Sequence, residues 1–217
     1  FRNKGFRRFG FHGINHQHVS ETVAAQCRKQ GKNPSQLRLI SAHLGAGASL
    51  AAVRGGRCID TTMGYTPLEG LVMATRSGNV DPGLLLELMR EGYSEDEIAG
   101  ILQKESGLKG LSGLSGDMRT IREAAASGHN GAIRALDVFR HKLLQLLGSM
   151  AASLGGVDVL ALTGGIGEHD EQLKQELATA LSWWGDFSTV VIPADEEGMI
   201  ARLCQRHSEA PASAAVG

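Results

Sequence analysis

Residues 37–63 read LRLISAHLGAGASLAAVRGGRCIDTTM, and their patterning decides the architecture. Three short runs rich in apolar and β-branched residues, to Leu44, from Ser49 and from Arg57, are separated by Gly45-Ala46-Gly47 and by Gly55-Gly56. Such runs with glycine punctuation predict three consecutive strands, antiparallel neighbours, the last two joined by a two-residue hairpin turn. The first turn raises a question of chemistry. Four small residues follow His43 and Leu44, as if something had to approach the backbone. Glycine removes the side chain that would hold a ligand away, and successive N–H groups can then converge on an oxyanion. A tight hairpin that merely needs glycine would read the same. His43 alternates onto the face of Leu39 and Ser41, so it suits either a satisfied core position or the rim of that turn.

The remaining chain alternates helix and strand. Val19, Val23 and Cys27 recur every four residues before a Gly31 stop, predicting a helix from Asn15. Pro82 opens a helix in DPGLLLELMREG, Ser94 and Glu97 have capping-box spacing, and Asp117 begins a helix that Gly128 ends. Leu136, Phe139, Leu143, Leu147, Met150 and Leu154 form one apolar stripe on a long helix. VDVLAL is a buried-strand candidate, TGGIGE a turn, EQLKQELATALSWW a helix with Leu173, Leu177 and Leu181 on one face, TVVIP a strand, and Asp195 to His207 a last helix. The prediction is an α/β domain with a mixed sheet over residues 1–207, followed by a disordered tail over 208–217.

Charge narrows the function. Lys and Arg total 22 against 23 Asp and Glu, so no global field favours nucleic acid or an anionic membrane, and any anion must be gripped locally. No stretch approaches the roughly 20 apolar residues of a membrane span. Three irregularly spaced cysteines, Cys27, Cys58 and Cys204, match neither a disulfide framework nor a CxxC metal site, so a reducing cytoplasm is expected.

Several segments carry candidate chemistry, each beside a plainer reading. LTGGIGEHDEQL is a strand, glycine turn and helix start that lacks the Rossmann and P-loop spacings; Glu168 there suits a first-turn acid offsetting the helix dipole. Arg76, in TRSG, is either a surface arginine or a planar fork for a phosphoryl or carboxylate group. Asp117 is accounted for as an N-cap, with Arg119 close behind. His12, His16 and His18 invite a zinc reading but lack a completing Cys or Glu. In IPADEEG, Asp195 reads as a cap, while the neighbouring carboxylates suit Mg2+ held through water.

Six stretches taken together, RRFGFHGINHQHV, AHLGAGASLAAV, IDTTMGYTPLEGLVMATRSGNVDPG, SGLKGLSGLSGDMR, LTGGIGE and VIPADEE, run in order from residue 7 to 197. In this they resemble the acetate and propionate kinase family, the acetokinase branch of the actin-like, sugar-kinase and Hsp70-like ATPases. The resemblance implies a ribonuclease-H-like lobe that grips ATP or ADP, with acetate or propionate as phosphoryl acceptor and an acyl phosphate as product. His43 and the backbone of Gly45, Ala46 and Gly47 would approach the β- and γ-phosphates. Asp117, Met118 and Arg119 would border the nucleoside, and Gly165, Ile166, Gly167, Glu168 and His169 would form the opposite wall. His12 and Arg76 would stabilise the phosphoryl group in flight, and Glu196 would be a Mg2+ ligand.

The chain departs from the family's commonest pattern at Ala46 and His169, both usually Asn, at Asn79, usually Asp, at Ala74, usually Gly, and at Lys174, usually Arg. It also resembles only the C-terminal lobe, so a fragment inactive by itself is expected. Pairing of two copies through this lobe is part of the same expectation, and the competing one is a non-catalytic nucleotide-binding or dimerisation module.

Overall fold

The computed structural model describes residues 2–209. Helix α1 (Gly13–Lys29) leads into β1 (Arg38–Leu44), β2 (Ala48–Arg54) and β3 (Arg57–Thr61). A long irregular segment then reaches α2 (Pro82–Arg90), α3 (Glu95–Gly100), a wide π turn (Ile101–Glu105), α4 (Gly107–Ser112), α5 (Met118–Ala126) and the 25-residue α6 (Asn130–Leu154). The chain closes with β4 (Val159–Thr163), α7 (Gly164–His169), α8 (Glu171–Ala180), β5 (Ser188–Val191) and α9 (Glu196–Glu209).

The sheet order is β3-β2-β1-β4-β5, with β1 antiparallel to β2 and parallel to β4. This is the expected mixed sheet of a ribonuclease-H-like lobe. Register matters more than order here, because His43 lies opposite Ser49 on β2 and Thr163 on β4. One polar row therefore crosses three strands at the ends of β1 and β4.

Two layers of helix cover the sheet. Ile40, Ala42 and Leu44 face α6, whose Phe139, Leu143, Leu147, Met150 and Leu154 are buried with Leu173 and Leu177 of α8. Leu39, Ala51, Val53, Val159 and Ala161 face the other way, onto Val19 and Val23 of α1. Along α1 the buried side chains change from valine to His16 and Asn15 towards its N-terminus, so the layer grades from hydrocarbon to polar groups as it nears His43.

Local signals hold where they depend on a few neighbouring residues. Ser94 and Glu97 form both halves of the capping box, Asp81 caps α2, and Asp117 caps α5 through the N–H groups of Arg119 and Thr120. Three boundaries differ from expectation. The segment expected as a TGGIGE turn is a helix of its own, α7, because Gly164 turns the chain in a single residue at φ +79° directly out of β4. A β-carbon there would fall 2.8 Å from the Leu44 carbonyl oxygen. The helix expected through SWW ends at Ala180, with a 3-10 turn over Ser182–Trp184. The last helix runs through Ser208 and Glu209; the rest of the expected tail, 210–217, lies outside the described residues. Among the described residues no helix is long and apolar enough to cross a membrane.

Candidate active site

The N-terminus of α1, the hairpin between β1 and β2, and the start of α7 meet at one end of the sheet. His12 opens α1 in the left-handed region, at φ 57° and ψ 24°. It is the non-glycine residue with positive φ among those described, a conformation retained where surrounding contacts enforce it. The contact is His43, whose ring stacks on His12 with centroids 4.2 Å apart and planes 20° apart. Behind them Ser49 Oγ lies 2.9 Å from both His12 Nδ1 and His16 Nε2, and Ser41 Oγ lies 2.8 Å from His16 Nδ1. Asn15 Nδ2 lies 2.8 Å from His43 Nδ1 and 3.2 Å from Thr163 Oγ1.

All three imidazoles are neutral near pH 7. Burial first, then His43 and Arg76, bring His12 down to about 4 against an opposing pull from Glu196. Burial, then His43 and His12, bring His16 to about 3. Burial likewise lowers His43, with Glu168 pulling the other way. The fixed positive charge comes from Arg76. Its half-buried Nη1 donates to the Pro67 carbonyl at 3.3 Å and approaches Met73 Sδ at 3.8 Å, and it has no carboxylate partner among the described residues. A partly desolvated guanidinium without a counter-ion is a strong attractor for an anion.

The glycine turn brings these groups together. Gly45 N–H donates to the Gly47 carbonyl at 3.0 Å, closing the turn. A β-carbon on Gly47 would sit 3.3 Å from His12 Nε2 and 3.5 Å from Arg76 Nη1, so a longer side chain would enter the gap between them. From Gly45 the corresponding point lies 3.8 Å from His43 Nε2 and 4.0 Å from Gly165 N. Residues expected from four separate segments thus border one small space.

A cleft of about 620 Å³ opens beside it, lined by Gly45, Ala46, Asp117, Met118, Arg119, Gly165, Ile166 and His169 among others. Reading the sequence missed Arg122, Asp170 and Gln172 in this lining. Arg122 clamps α5 to α8 by pairing with Asp170 at 3.1 Å and Glu176 at 2.8 Å, and no spacing rule joins residues 48 and 54 positions apart. A larger depression of about 1080 Å³ lies beside α1 over β2 and β3; it is lined by His16 but by none of the residues expected at the nucleotide. The smaller cleft is the better candidate because Asp117, Arg119 and His169 of the expected residues line it, and Gly45 and Gly165 join it to the space beside His43. Asp117 is occupied as the α5 cap, and Asp117→Ala is expected to cost about 1 kcal/mol in chemical denaturation.

Two of the expected wall residues do other work. Gly167 is buried, its β-carbon position 3.4 Å from the Leu162 carbonyl carbon, so it sits against the sheet and does not line the cleft. The Glu168 carboxylate accepts N–H groups of Gly164 at 2.9 Å and Ala194 at 3.0 Å, clasping the two strand-end segments. Departing residues are also accommodated: Asn79 accepts the Gly70 N–H, and Lys174 donates to the Glu168 carbonyl.

Among the described residues no three His, Cys, Asp or Glu side chains form a metal-binding group. His18 accepts from Arg202 on α9 and takes no part in the His12–His16 cluster. Asp195 caps Gly198 and pairs with Arg202. The Glu196 carboxylate, by contrast, has no hydrogen bond or ion pair among the described residues and lies close enough to His12 to raise its pKa. A free carboxylate of this kind fits Mg2+, which binds through one or two carboxylates completed by water and substrate oxygens.

Comparison with known proteins identifies the family. Residues 1–188 match the acetokinase family. An acetate kinase from Synechococcus sp. (strain JA-2-3B'a(2-13)) is 46% identical over 93% of this chain and 55% of its own length. One from Clostridium novyi is 40% identical, again over 93% of this chain and 55% of its own. The crystal structure of Porphyromonas gingivalis acetate kinase superimposes with a TM-score of 0.90 at 36% identity, covering 96% of this chain and 57% of that one. A propionate kinase from Francisella tularensis gives 0.84 at 34% identity, covering 92% and 56%. The chain spans about half the length of the curated relatives it matches. Matched over most of its residues in both sequence and fold, it belongs to the acetokinase family.

Proposed function

We propose that residues 1–207 form the nucleotide-gripping lobe of a cytoplasmic carboxylate kinase, which transfers the γ-phosphoryl group of ATP to acetate or propionate. A carboxylate oxygen attacks the γ-phosphorus, the bond to the β-phosphate oxygen breaks, and the products are acyl phosphate and ADP. The observation that carries this reading is the unpaired Arg76 guanidinium beside the His12 ring and the Gly47 backbone. Phosphoryl transfer needs positioned positive charge and hydrogen-bond donors more than covalent help. Arg76 supplies the charge. Neutral His12 and His43 supply N–H donors rather than protons, and the N–H groups of Ala46 and Gly47 would meet the phosphates, that of Gly45 being donated to the Gly47 carbonyl. Asp117, Met118, Arg119, Gly165, Ile166 and His169 would flank the nucleoside. Mg2+, held by Glu196 with phosphate oxygens and water, would neutralise charge on the β- and γ-phosphates.

Pairing of two copies through this lobe belongs to the same proposal. It is supported by α2, where Leu84, Leu86 and Met89 are each more than half exposed, an apolar surface of the kind that partners cover.

Isothermal titration of the 217-residue chain with MgADP is expected to give a Kd on the order of 0.1–1 mM, about −4 to −5.5 kcal/mol. A hydroxamate assay of the same chain should detect no acyl phosphate, because one lobe cannot close over substrate and exclude water. Absence of any binding heat would count against the nucleotide site, and turnover by the isolated chain against the need for a second lobe.

A further inference from the structure

The proposed function requires His12 and His43 to offer N–H groups, and which ring nitrogen of a neutral histidine carries the proton is set by what the other one bonds to. Both Nε2 atoms face the glycine turn, as the β-carbon positions of Gly47 and Gly45 indicate. Both Nδ1 atoms face inward, to Ser49 and Asn15.

Behind His12 the hydrogen bonds form a single file: Ser41 Oγ, His16 Nδ1, His16 Nε2, Ser49 Oγ, His12 Nδ1. Each hydroxyl has one proton and each neutral ring has one, so the file has two self-consistent directions. In the first, Ser41 donates to His16, His16 donates to Ser49, and Ser49 donates to His12 Nδ1. His12 is then left with its proton on Nε2, facing the site. In the second every bond reverses, and His12 turns a lone pair towards the phosphates. The two differ at the buried end. Ser41 is fully buried, and its Oγ has no hydrogen-bond partner other than His16 among the described residues. The reversed file would strand its O–H without an acceptor, which is expensive in a buried site. The first direction uses every buried donor.

Asn15 makes the parallel argument for His43. With Nδ2 towards His43 Nδ1 and Thr163 Oγ1, both amide protons are used and Oδ1 is left without a partner. The flipped amide would leave two buried N–H groups unpaired, the rarer and costlier fault. His43 Nδ1 is therefore an acceptor, and its proton sits on Nε2.

We propose that Ser41, His16 and Ser49 form a directional hydrogen-bond relay, with Asn15 as a second strut, which holds His12 and His43 as Nε2–H tautomers so that both rings donate to one anion. These four are positioning residues, since none of them faces the gap itself. Burial keeps the rings uncharged at pH 7, which is the condition under which a tautomer can be selected. The purpose of the relay rests on the phosphate reading of the site, whereas its direction does not.

Long-range 1H–15N NMR of the histidine rings in the 217-residue chain reads the direction without any ligand. At pH 7 the expected result is a proton on Nε2 of His12, His16 and His43, favoured about tenfold or more over Nδ1. A predominant Nδ1 proton on His12 or His16 would overturn the relay, whatever the chain binds. Ser49→Ala should leave His12 as a mixture of tautomers with His43 unchanged, and Ser49→Thr should restore the single form. In titrations with Mg2+ and the non-hydrolysable analogue AMP-PNP, Ser49→Ala should weaken binding by about tenfold and Ser49→Thr should recover it, about 1.4 kcal/mol. Expected tautomers in a chain that binds no nucleotide would uphold the relay and overturn the kinase reading. Unchanged tautomers in Ser49→Ala would overturn the relay alone.

Discussion

Arg76→Ala is expected to lower kcat/KM for acyl phosphate formation by about a thousandfold, about 4 kcal/mol of transition-state stabilisation. The measurement uses a protein that carries this lobe within the full length of its relatives. The magnitude follows from position. The guanidinium borders Gly47 and the His12 ring, and no described carboxylate shares its charge, so charge developing on a transferring phosphoryl group would meet it at full strength. Most of the loss should fall on kcat, because an interaction that strengthens in the transition state leaves substrate binding largely intact. Arg76→Lys should recover little, since an ammonium reproduces neither the planar fork nor its reach. The same variant should fold as well as the parent, because removing a half-buried cation without a counter-ion leaves no charge stranded. An alanine variant retaining a tenth of the activity, or one that loses activity only by unfolding, would remove Arg76 from the proposed mechanism.

The second large effect is on stability. His16 and His12 have folded-state pKa values of about 3 and about 4, against the ordinary 6.5 of an exposed imidazole. Above pH 6.5 both rings are neutral whether the chain is folded or not, and their contribution is complete. As pH falls below 6.5 the unfolded chain takes up protons that the folded chain refuses, so stability is lost until the folded rings protonate. For the buried His16 the loss by pH 5 is about 2 kcal/mol, and it keeps growing towards pH 3. His12 and His43, both lowered by burial but closer to solvent, add to it by less. The window identifies the groups: Glu21, held down to about 2 by its bond to Arg206, contributes only as pH falls through its ordinary 4.5 and below. Urea denaturation at pH 7 and pH 5 should show the difference, and His16→Gln, which can still bond both serines, should flatten it. Equal stability at the two pH values would mean that the cluster is solvated. An undiminished slope in His16→Gln would place the titration elsewhere.

Much of the fold was legible without coordinates. The alternation of Leu39, Ser41 and His43 against Ile40, Ala42 and Leu44 assigns two faces to β1, and the structure seats α1 on one and α6 on the other. Capping by Ser94 and Asp117 was equally readable, since those bonds span two or three residues. The resemblance to acetokinases supplied the candidate residues. It did not distinguish the ones that line the gap from the ones that brace it: Glu168 clasps two backbone segments, and Gly167 packs against the sheet.

By itself the sequence determined most of the elements, α4 and α7 excepted, and both faces of β1, because periodicity, caps and glycine punctuation act over one or two turns of backbone, while six ordered motif stretches carried the resemblance to the family. Only the tertiary structure decided that His12 stacks on His43, that Arg76 reaches Gly47, and that Ser41 and Ser49 stand on either side of His16. Those neighbours lie 25 to 37 positions apart for the hydrogen bonds of His12 and His16. They are brought together by strand register and by the seat of α1 on the sheet, and a register slip of one residue would turn Ser41, His43 or Ser49 to the opposite face.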